Sequence, residues 1–438
     1  MKRLFLTLLW LTALARAQDD IRSLTILHTN DLHAQLVPTA EGFGGFAYLA
    51  AEVRHQREGC TSCIFLNAGD LVQGSPVSTI YNGAPVYELA NLLGFDAATV
   101  GNHEFDYGWK AVQGFARIAH FPLLSDNVQD ADGRYLTGKG YVIRNVGGVR
   151  VAIVGLVMGD LAGNYATVDE VGPWQVKPVV ETIHRAAAEL QGRADLIVAL
   201  GHLNVAEAAT ILAEAPEVSI AVVGHVHDGY AEMRQNGHRY AVEVKAYGVE
   251  LGRLDFRFDL TKHEVLSAAW KHIPIDSHAI APAPDVAKEV AKWEAKVSRI
   301  VDVPIGEAKH PFSKAQLRPL IEQAMAEATG ADFAFIATGD IRATLPQGRL
   351  LARNIWNMLP FEDHVVVGRF KGRDLPPSIT ARYPVEPDRE YKVAVTQFLA
   401  TNQASPSQLS ATGLKFPVTG PKQRDAMLAW VSKKRILD

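Results

Sequence analysis

Aspartate, asparagine and histidine recur at one kind of position in the first part of this 438-residue chain. Each stands a few residues beyond a short apolar run: Asp31 and His33 after 24–27, Asp70 after 64–66, Asn102 and His103 after 97–100, His202 after 196–200, and His225 and His227 after 220–223. One such residue has an ordinary explanation, because an aspartate after Gly69 shapes a turn and a histidine at a strand end is usually just hydrogen-bonded. Five separate segments that all end this way are not a product of turn chemistry. A mixed imidazole and carboxylate set suits Zn, Mn, Fe or Co, and suits Mg less, since hard cations take nearly all-oxygen shells. Leaving His103 aside, the seven others exceed the needs of one ion. Two divalent metal ions about 3.5–4 Å apart, sharing a carboxylate, would clamp the attacking and leaving oxygens of a phosphoryl transfer.

The elements that must position these side chains alternate in kind. From residue 22 to about 270, the apolar runs (with a further one at 151–157) are separated by amphipathic stretches at Phe46–Arg57, 86–93 and Val179–Leu190, the pattern of an α/β layered domain. After His227 the sequence becomes β-rich at 240–244 and 254–258, which predicts antiparallel strands completing the sheet arrangement. Val286, Val290, Trp293, Val297 and Ile300 then form one helical stripe, with Asp285 as the expected cap, so residues 281–300 read as a linker helix. A catalytic domain is therefore expected over 18–280 and a second, smaller α/β domain over 301–438.

Asp31-Leu32-His33, Gly69-Asp70, Gly101-Asn102-His103-Glu104-Phe105-Asp106, Gly201-His202 and Gly224-His225-Val226-His227 together resemble the signature of the metallophosphoesterases, in the spelling of their 5′-nucleotidase branch. The resemblance implies a four-layered αββα sandwich. It implies Asp31, His33, Asp70 and His227 on one ion and Asp70, Asn102, His202 and His225 on the other, with Asp70 bridging. His103 follows a candidate ligand directly, and Asp106 is close enough in sequence to orient its ring; by resemblance these two are a catalytic dyad acting beside a metal-bound hydroxide. His28, also after the first run, reads as a support for the ligands or as structural.

In the second domain Gly339-Asp340-Ile341-Arg342 resembles the family turn that brings an arginine to the substrate, and Leu359-Pro360-Phe361, followed by Asp363, resembles the segment whose aromatic stacks on a base. Gly339, Arg342 and Phe361 are thus expected to bind substrate. Three departures count against a standard nucleotide pocket. Pro311-Phe312-Ser313-Lys314 stands where a second substrate arginine is usual, Asn402-Gln403-Ala404-Ser405-Pro406 stands where GGDG and a second aromatic are usual, and Glu362 replaces a glycine.

Lys2 and Arg3, the apolar run 4–14 and Ala15-Arg16-Ala17 have the three parts of a secretory signal, so residues 1–17 are expected to be removed and the protein exported, periplasmic or secreted, without a stable membrane anchor. The formal charge of −4 becomes −7 on that removal, which leaves no basic surplus for nucleic acid. Cys60 and Cys63, the only cysteines, are too few for a zinc knot and read as a loop staple. The expected partner is a small-molecule phosphate ester or nucleotide. A thiosulfohydrolase or cyclic-nucleotide phosphodiesterase is the alternative within the family, and a non-catalytic phosphate- or nucleotide-binding protein the alternative outside it; a mere binder has no use for His103 and Asp106.

Overall fold

The computed structural model describes residues 20–401 and 413–438. The expected signal segment and Asn402-Gln403-Ala404-Ser405-Pro406 lie outside the described residues. The chain forms two compact units. The first holds the described residues up to Val72, Ala84–Leu161 and Glu170–Val290; the second holds Gln73–Gly83, Ala162–Asp169 and the described part of Ala291–Asp438. No helix among the described residues is long and apolar enough to cross a membrane.

In chain order the strands of the first unit are β1 (Ile21–Thr29), β2 (Cys63–Asn67), β3 (Ala97–Thr99), β4 (Leu123–Leu124), β5 (Val128–Gln129), β6 (Tyr141–Val146), β7 (Val149–Val157), β8 (Gln175–Val176), β9 (Leu196–His202), β10 (Val218–Gly224), β11 (Arg234–Asn236), β12 (Arg239–Val242), β13 (Glu250–Asp259) and β14 (Glu264–Pro274). They build two six-stranded mixed sheets, ordered β14-β13-β1-β2-β3-β4 and β11-β12-β10-β9-β7-β6, beside a small β5-β8 ribbon. Leu24, Ile26, Ile64 and Leu66 point from the first sheet toward Ile153, Val198, Leu200, Ile220 and Val222 of the second and fill the space between them. The period-two alternation of strands puts Phe65 on the other face. There it meets Phe95 at 4.5 Å between ring centres, and Tyr87 stacks on Phe115 at 4.5 Å, joining the helices Ala84–Ala90 and Trp109–Ile118 in an aromatic layer. The outer face of the second sheet is covered by Val179–Leu190 and Val205–Glu214 through Ile183, Ala186, Ile211 and Leu212. The result is the expected helix–sheet–sheet–helix sandwich.

Two elements differ from their sequence reading. The 240–244 run was expected to be antiparallel, but β12 lies parallel to β10, because a hairpin at Gly237 sends β11 to the edge and returns the chain beside β10. The helix Pro284–Val301 carries Asp285 inside its first turn, where the side chain also pairs with Arg54 through two bonds of 2.8 Å. Its buried stripe is Val286, Val290, Val297 and Val301, whereas Ile300 is 48% exposed, since Val301 is the residue four positions beyond Val297. Cys60 and Cys63 are joined as a disulfide at the start of β2.

The second unit continues with β15 (Pro304–Ala308), β16 (Phe333–Phe335), β17 (Gly348–Leu351), β18 (His364–Lys371), β19 (Glu390–Thr396), β20 (Val418–Lys422) and β21 (Ile436–Leu437). They form sheets ordered β17-β15-β21 and β16-β19-β18-β20. The helices Lys314–Thr329, Ala352–Met358 and Gln423–Lys434 share a core of Leu317, Ile321, Met325, Ile355, Met427 and Val431. Ser313 starts the first of them with a reciprocal capping box to Gln316.

Candidate metal centre and its surroundings

The candidate ligands stand where β1, β2, β3, β9 and β10 end. The turn after β1 is zipped to the turn after β2 by Asp31 N to Gly69 O (3.0 Å), His33 N to Asp70 O (3.0 Å) and Ala34 N to Leu71 O (2.8 Å). Gly69 is required there: a Cβ on it would lie 2.8 Å from the backbone nitrogen of Gly101. Asp31, His33 and Asp70 all hold φ near +50°, and His225 holds +101°. Side chains with a Cβ rarely adopt this conformation, and such strain persists only where the surroundings enforce it.

All seven candidate ligands converge. His33 Nε2 lies 3.0 Å from His227 Nε2, and Asp31 Oδ1 lies 3.8 Å and 3.5 Å from those two atoms. His202 Nε2 lies 3.2 Å from Asp70 Oδ2 and 3.1 Å from Asn102 Oδ1, and its ring centre is 5.2 Å from that of His225. Asp31, His33 and His227, and again Asp31, Asp70 and His202, offer ligand atoms within 4.8 Å of one another. Asp31 Oδ1 is buried without a hydrogen bond, and the buried Asp70 Oδ2 meets the His202 imidazole at 3.2 Å, while their partner oxygens accept from His225 N and His103 N. A buried carboxylate oxygen left without a hydrogen bond is costly. The imidazole nitrogens of His33 and His227, 3.0 Å apart, are close enough to share one ion, and the donor set is the borderline one that transition-metal ions take. The residues therefore fit a metal centre.

The charges tell the same story. Burial would raise Asp70, but the imidazoles of His202, His103 and His33 hold it well below the ordinary carboxylate range. Burial would lower His202, yet Asp70 and Asp31 raise it to about 10. His225, buried and facing His202, is lowered to about 3. Two buried carboxylates thus draw a positive charge into the pocket, and a divalent ion can take over what the His202 proton does.

His103 Nδ1 lies 3.0 Å from Asp106 Oδ2, as the sequence predicts, and its ring centre is 5.3 Å from that of His33. His28 is fully buried beneath Trp270, whose Nε1 donates to His28 Nε2 at 2.9 Å; burial, then the nearby His272, lowers it to about 3.

Sequence reasoning missed three supports. Glu104, inside a quoted motif but given no role, is fully buried and accepts from the backbone N–H of Gly101 (2.6 Å), Leu71 (2.9 Å) and Asp70 (3.1 Å) and from Tyr87 Oη (3.3 Å). Glu243, 1% exposed, accepts from Val226 N at 2.7 Å, between His225 and His227. Asn30 bridges Asp31 Oδ2 (2.8 Å) to the carbonyl of Val244 (2.9 Å). The one signal for Glu243 was a charged residue inside the apolar run 240–244.

Residues 24–229 match the family described as calcineurin-like phosphoesterase, and residues 297–380 match the 5′-nucleotidase C-terminal domain. The chain belongs to the 5′-nucleotidase family. Endonuclease YhcR of Bacillus subtilis (strain 168) is 26% identical over 93% of this chain, which spans only 39% of that protein. Protein UshA of Yersinia enterocolitica is 27% identical, covering 83% of this chain and 76% of its own length. The 5′-nucleotidase precursor from Thermus thermophilus superposes with a TM-score of 0.81 at 21% identity, over 95% of this chain and 97% of that one, which shows the shared fold. The two matched models are those of a phosphoesterase domain and of a 5′-nucleotidase C-terminal domain, in that order along the chain.

In the second unit Gly339 lies in the turn Thr338–Asp340, where a Cβ would meet nothing within 4 Å. The Arg342 guanidinium lies 5.1 Å from the centre of the Phe361 ring. The carboxylate of Glu362, which stands where glycine is usual, is paired with both Lys422 and Arg424, which hold it below the usual range against the effect of burial. The segment lacking the second arginine supplies Lys314, whose ammonium is lowered by partial burial and then by the nearby Arg342.

Proposed function

We propose that the protein is an exported phosphomonoesterase of 5′-nucleotidase type that uses two divalent ions to release phosphate from nucleotides or related small esters. The observation that carries this reading is the pair of clusters, Asp31, His33 and His227 with Asp31, Asp70 and His202, whose ligand atoms lie within 4.8 Å of one another around buried carboxylates, Asp31 Oδ1 being without a hydrogen bond. When bound, the ions supply Lewis-acid polarisation of the phosphoryl group and activation of water. Asp31, His33, Asp70 and His227 would hold one of them, and Asp70, Asn102, His202 and His225 the other. His103 does the protein's share of the proton work. Its Nδ1 is engaged by Asp106 Oδ2, so the carboxylate stabilises the imidazolium, and Nε2 is the atom that donates to a phosphoryl oxygen or to the departing alkoxide. Gly339, Arg342 and Phe361 would bind the leaving group, with Phe361 stacking on a base where one is present.

The formal charge of −4 supports a small ester over nucleic acid, which is bound through a basic surplus. Export rests on the basic, apolar and small-residue order of residues 2–17, and N-terminal sequencing of the mature protein tests it. A hydrolysis screen of the purified protein with Mn, Zn, Co and Mg, over nucleoside monophosphates, sugar nucleotides, cyclic nucleotides and simple phosphate esters, tests the reaction. Turnover of monoesters is the expected result. Activity on cyclic diesters alone, or on none of these, would contradict it.

A further inference from the structure

Pro360, Phe361, Glu362 and Asp363 belong to no helix or strand and join Ala352–Met358 to β18. Such a segment has no hydrogen-bond ladder of its own. Within the second unit, however, each of these residues is held by another element. Arg424, at the start of the helix Gln423–Lys434 and 2% exposed, pairs with Glu362 Oε1 and reaches the carbonyl oxygens of Pro360 and Phe361 at 3.5 Å each. Its guanidinium also lies over the ring of Trp356, 3.8 Å from the ring centre. Lys422, at the end of β20, pairs with Glu362 Oε2. Asp363 accepts from Gln423 N with its carbonyl (3.0 Å) and from Phe398 N with its carboxylate (3.3 Å), and Pro360 O accepts from Thr79 Oγ1 (3.1 Å).

A buried arginine is an expensive way to fill space, because its desolvation is offset only by good geometry, and apolar residues of like volume are often at least as stabilising. Its planar fork has another use: it can grip a carboxylate and neighbouring carbonyls at once, which no apolar residue can do. Here the gripped groups belong to Phe361 and its two neighbours. The sequence offers no second aromatic wall at 402–406, so whatever selection stacking gives depends on how firmly Phe361 is held. An aromatic fixed in advance loses less freedom when a ligand lies on it.

We infer that Arg424 and Lys422, acting through Glu362, are positioning residues that fix the Phe361 ring and thereby set the enzyme's preference for phosphate esters with a planar aromatic leaving group over aliphatic ones. The inference rests on the proposed stacking role of Phe361. It also accounts for a glutamate where the family usually has glycine: the side chain is the link between the two cations and the segment.

The test compares kcat and KM for AMP and for glycerol 1-phosphate in the wild type, Phe361→Ala, Glu362→Ala, Glu362→Gln, Arg424→Met and the double variant Phe361→Ala/Glu362→Ala. Phe361→Ala should lower the ratio of kcat/KM for AMP to that for glycerol phosphate by about tenfold, in line with the loss of one stacking platform. Glu362→Ala and Arg424→Met should reproduce most of that drop through KM for AMP. Glu362→Gln, which keeps an acceptor for Arg424, should restore part of it, and the double variant should be no worse than Phe361→Ala. If Arg424→Met fails to fold, Glu362→Ala carries the test, because that side chain is 35% exposed. A ratio that falls in Phe361→Ala but not in the Glu362 and Arg424 variants, or a double variant whose losses multiply, would overturn the positioning role while leaving the stacking role intact. An unchanged ratio in Phe361→Ala would instead overturn the stacking role itself, and the positioning role with it.

Discussion

His103 and Asp106 lie three residues apart on one short 3-10 turn, His103–Tyr107, so a single turn fixes both the acid-base group and its orienting carboxylate. If His103 works on the phosphoryl group and is no ligand, His103→Ala should keep its metal content and lose about 10²–10⁴ in kcat, the usual share of a positioned acid-base group. Asp106→Ala should lose less. Metal depletion in purified His103→Ala would show the residue to be a ligand. Asp340 allows a second test at this scale. Burial raises its carboxyl from 3.8 to about 7, opposed by Arg342. Between those values the unfolded chain has released a proton that the folded chain keeps, so the stability tied to the neutral form is complete below about pH 4 and is lost as pH rises toward 7. Asp340→Asn should therefore raise the melting temperature at pH 8 and leave it nearly unchanged at pH 4; the opposite order would contradict the sign. Residue types were legible in sequence wherever chemistry restricts them, as at Asp31, His33, Asp70, Asn102, His202, His225 and His227. Glu243 and Arg424 were not legible, because a carboxylate that holds a backbone N–H or a guanidinium that holds a loop can stand at many positions in a sequence.

The elements carried their own evidence in unequal measure. Phe46–Arg57 and Val179–Leu190 coincide with their sequence reading, and the runs at 24–27, 64–66, 196–200 and 220–223 lie inside β1, β2, β9 and β10, because each is apolar on a face that must be buried. Pairing direction is another matter. Nothing in residues 239–242 says whether they join β10 parallel or antiparallel, since the hairpin preceding them decides it. What the turns after β2 and β3 need, once formed, is something to hold them together, and Glu104 does this with backbone bonds to Asp70, Leu71 and Gly101. Glu104→Gln keeps the shape but turns an NH₂ group toward backbone N–H donors, leaving buried donors unsatisfied at about 1–3 kcal/mol each. The variant should fold with a lowered melting temperature and lose at least half of its metal on dialysis. Wild-type metal retention and stability would show that the two turns hold themselves.

At the scale of the whole molecule, the first unit holds the candidate metal ligands and the second holds Gly339, Arg342 and Phe361. The sequence after Phe398-Leu399-Ala400 offers no second aromatic, so discrimination among bases should be weak. We expect kcat/KM for AMP, GMP, CMP and UMP to agree within about tenfold, or ~1.4 kcal/mol. If the Arg342 guanidinium meets the ribose or phosphate side and not the base edge, Arg342→Ala should lower all four alike. A hundredfold preference for one base, or a reordering of bases in Arg342→Ala, would contradict this. Whether Asp31, Asp70 and the residues around them hold two ions is tested most directly by elemental analysis of the purified protein. Close to two transition-metal ions per chain are expected, both lost in Asp70→Ala, with hydrolysis abolished by excess chelator. A single tightly bound ion in the wild type, or full activity in excess chelator, would contradict that expectation.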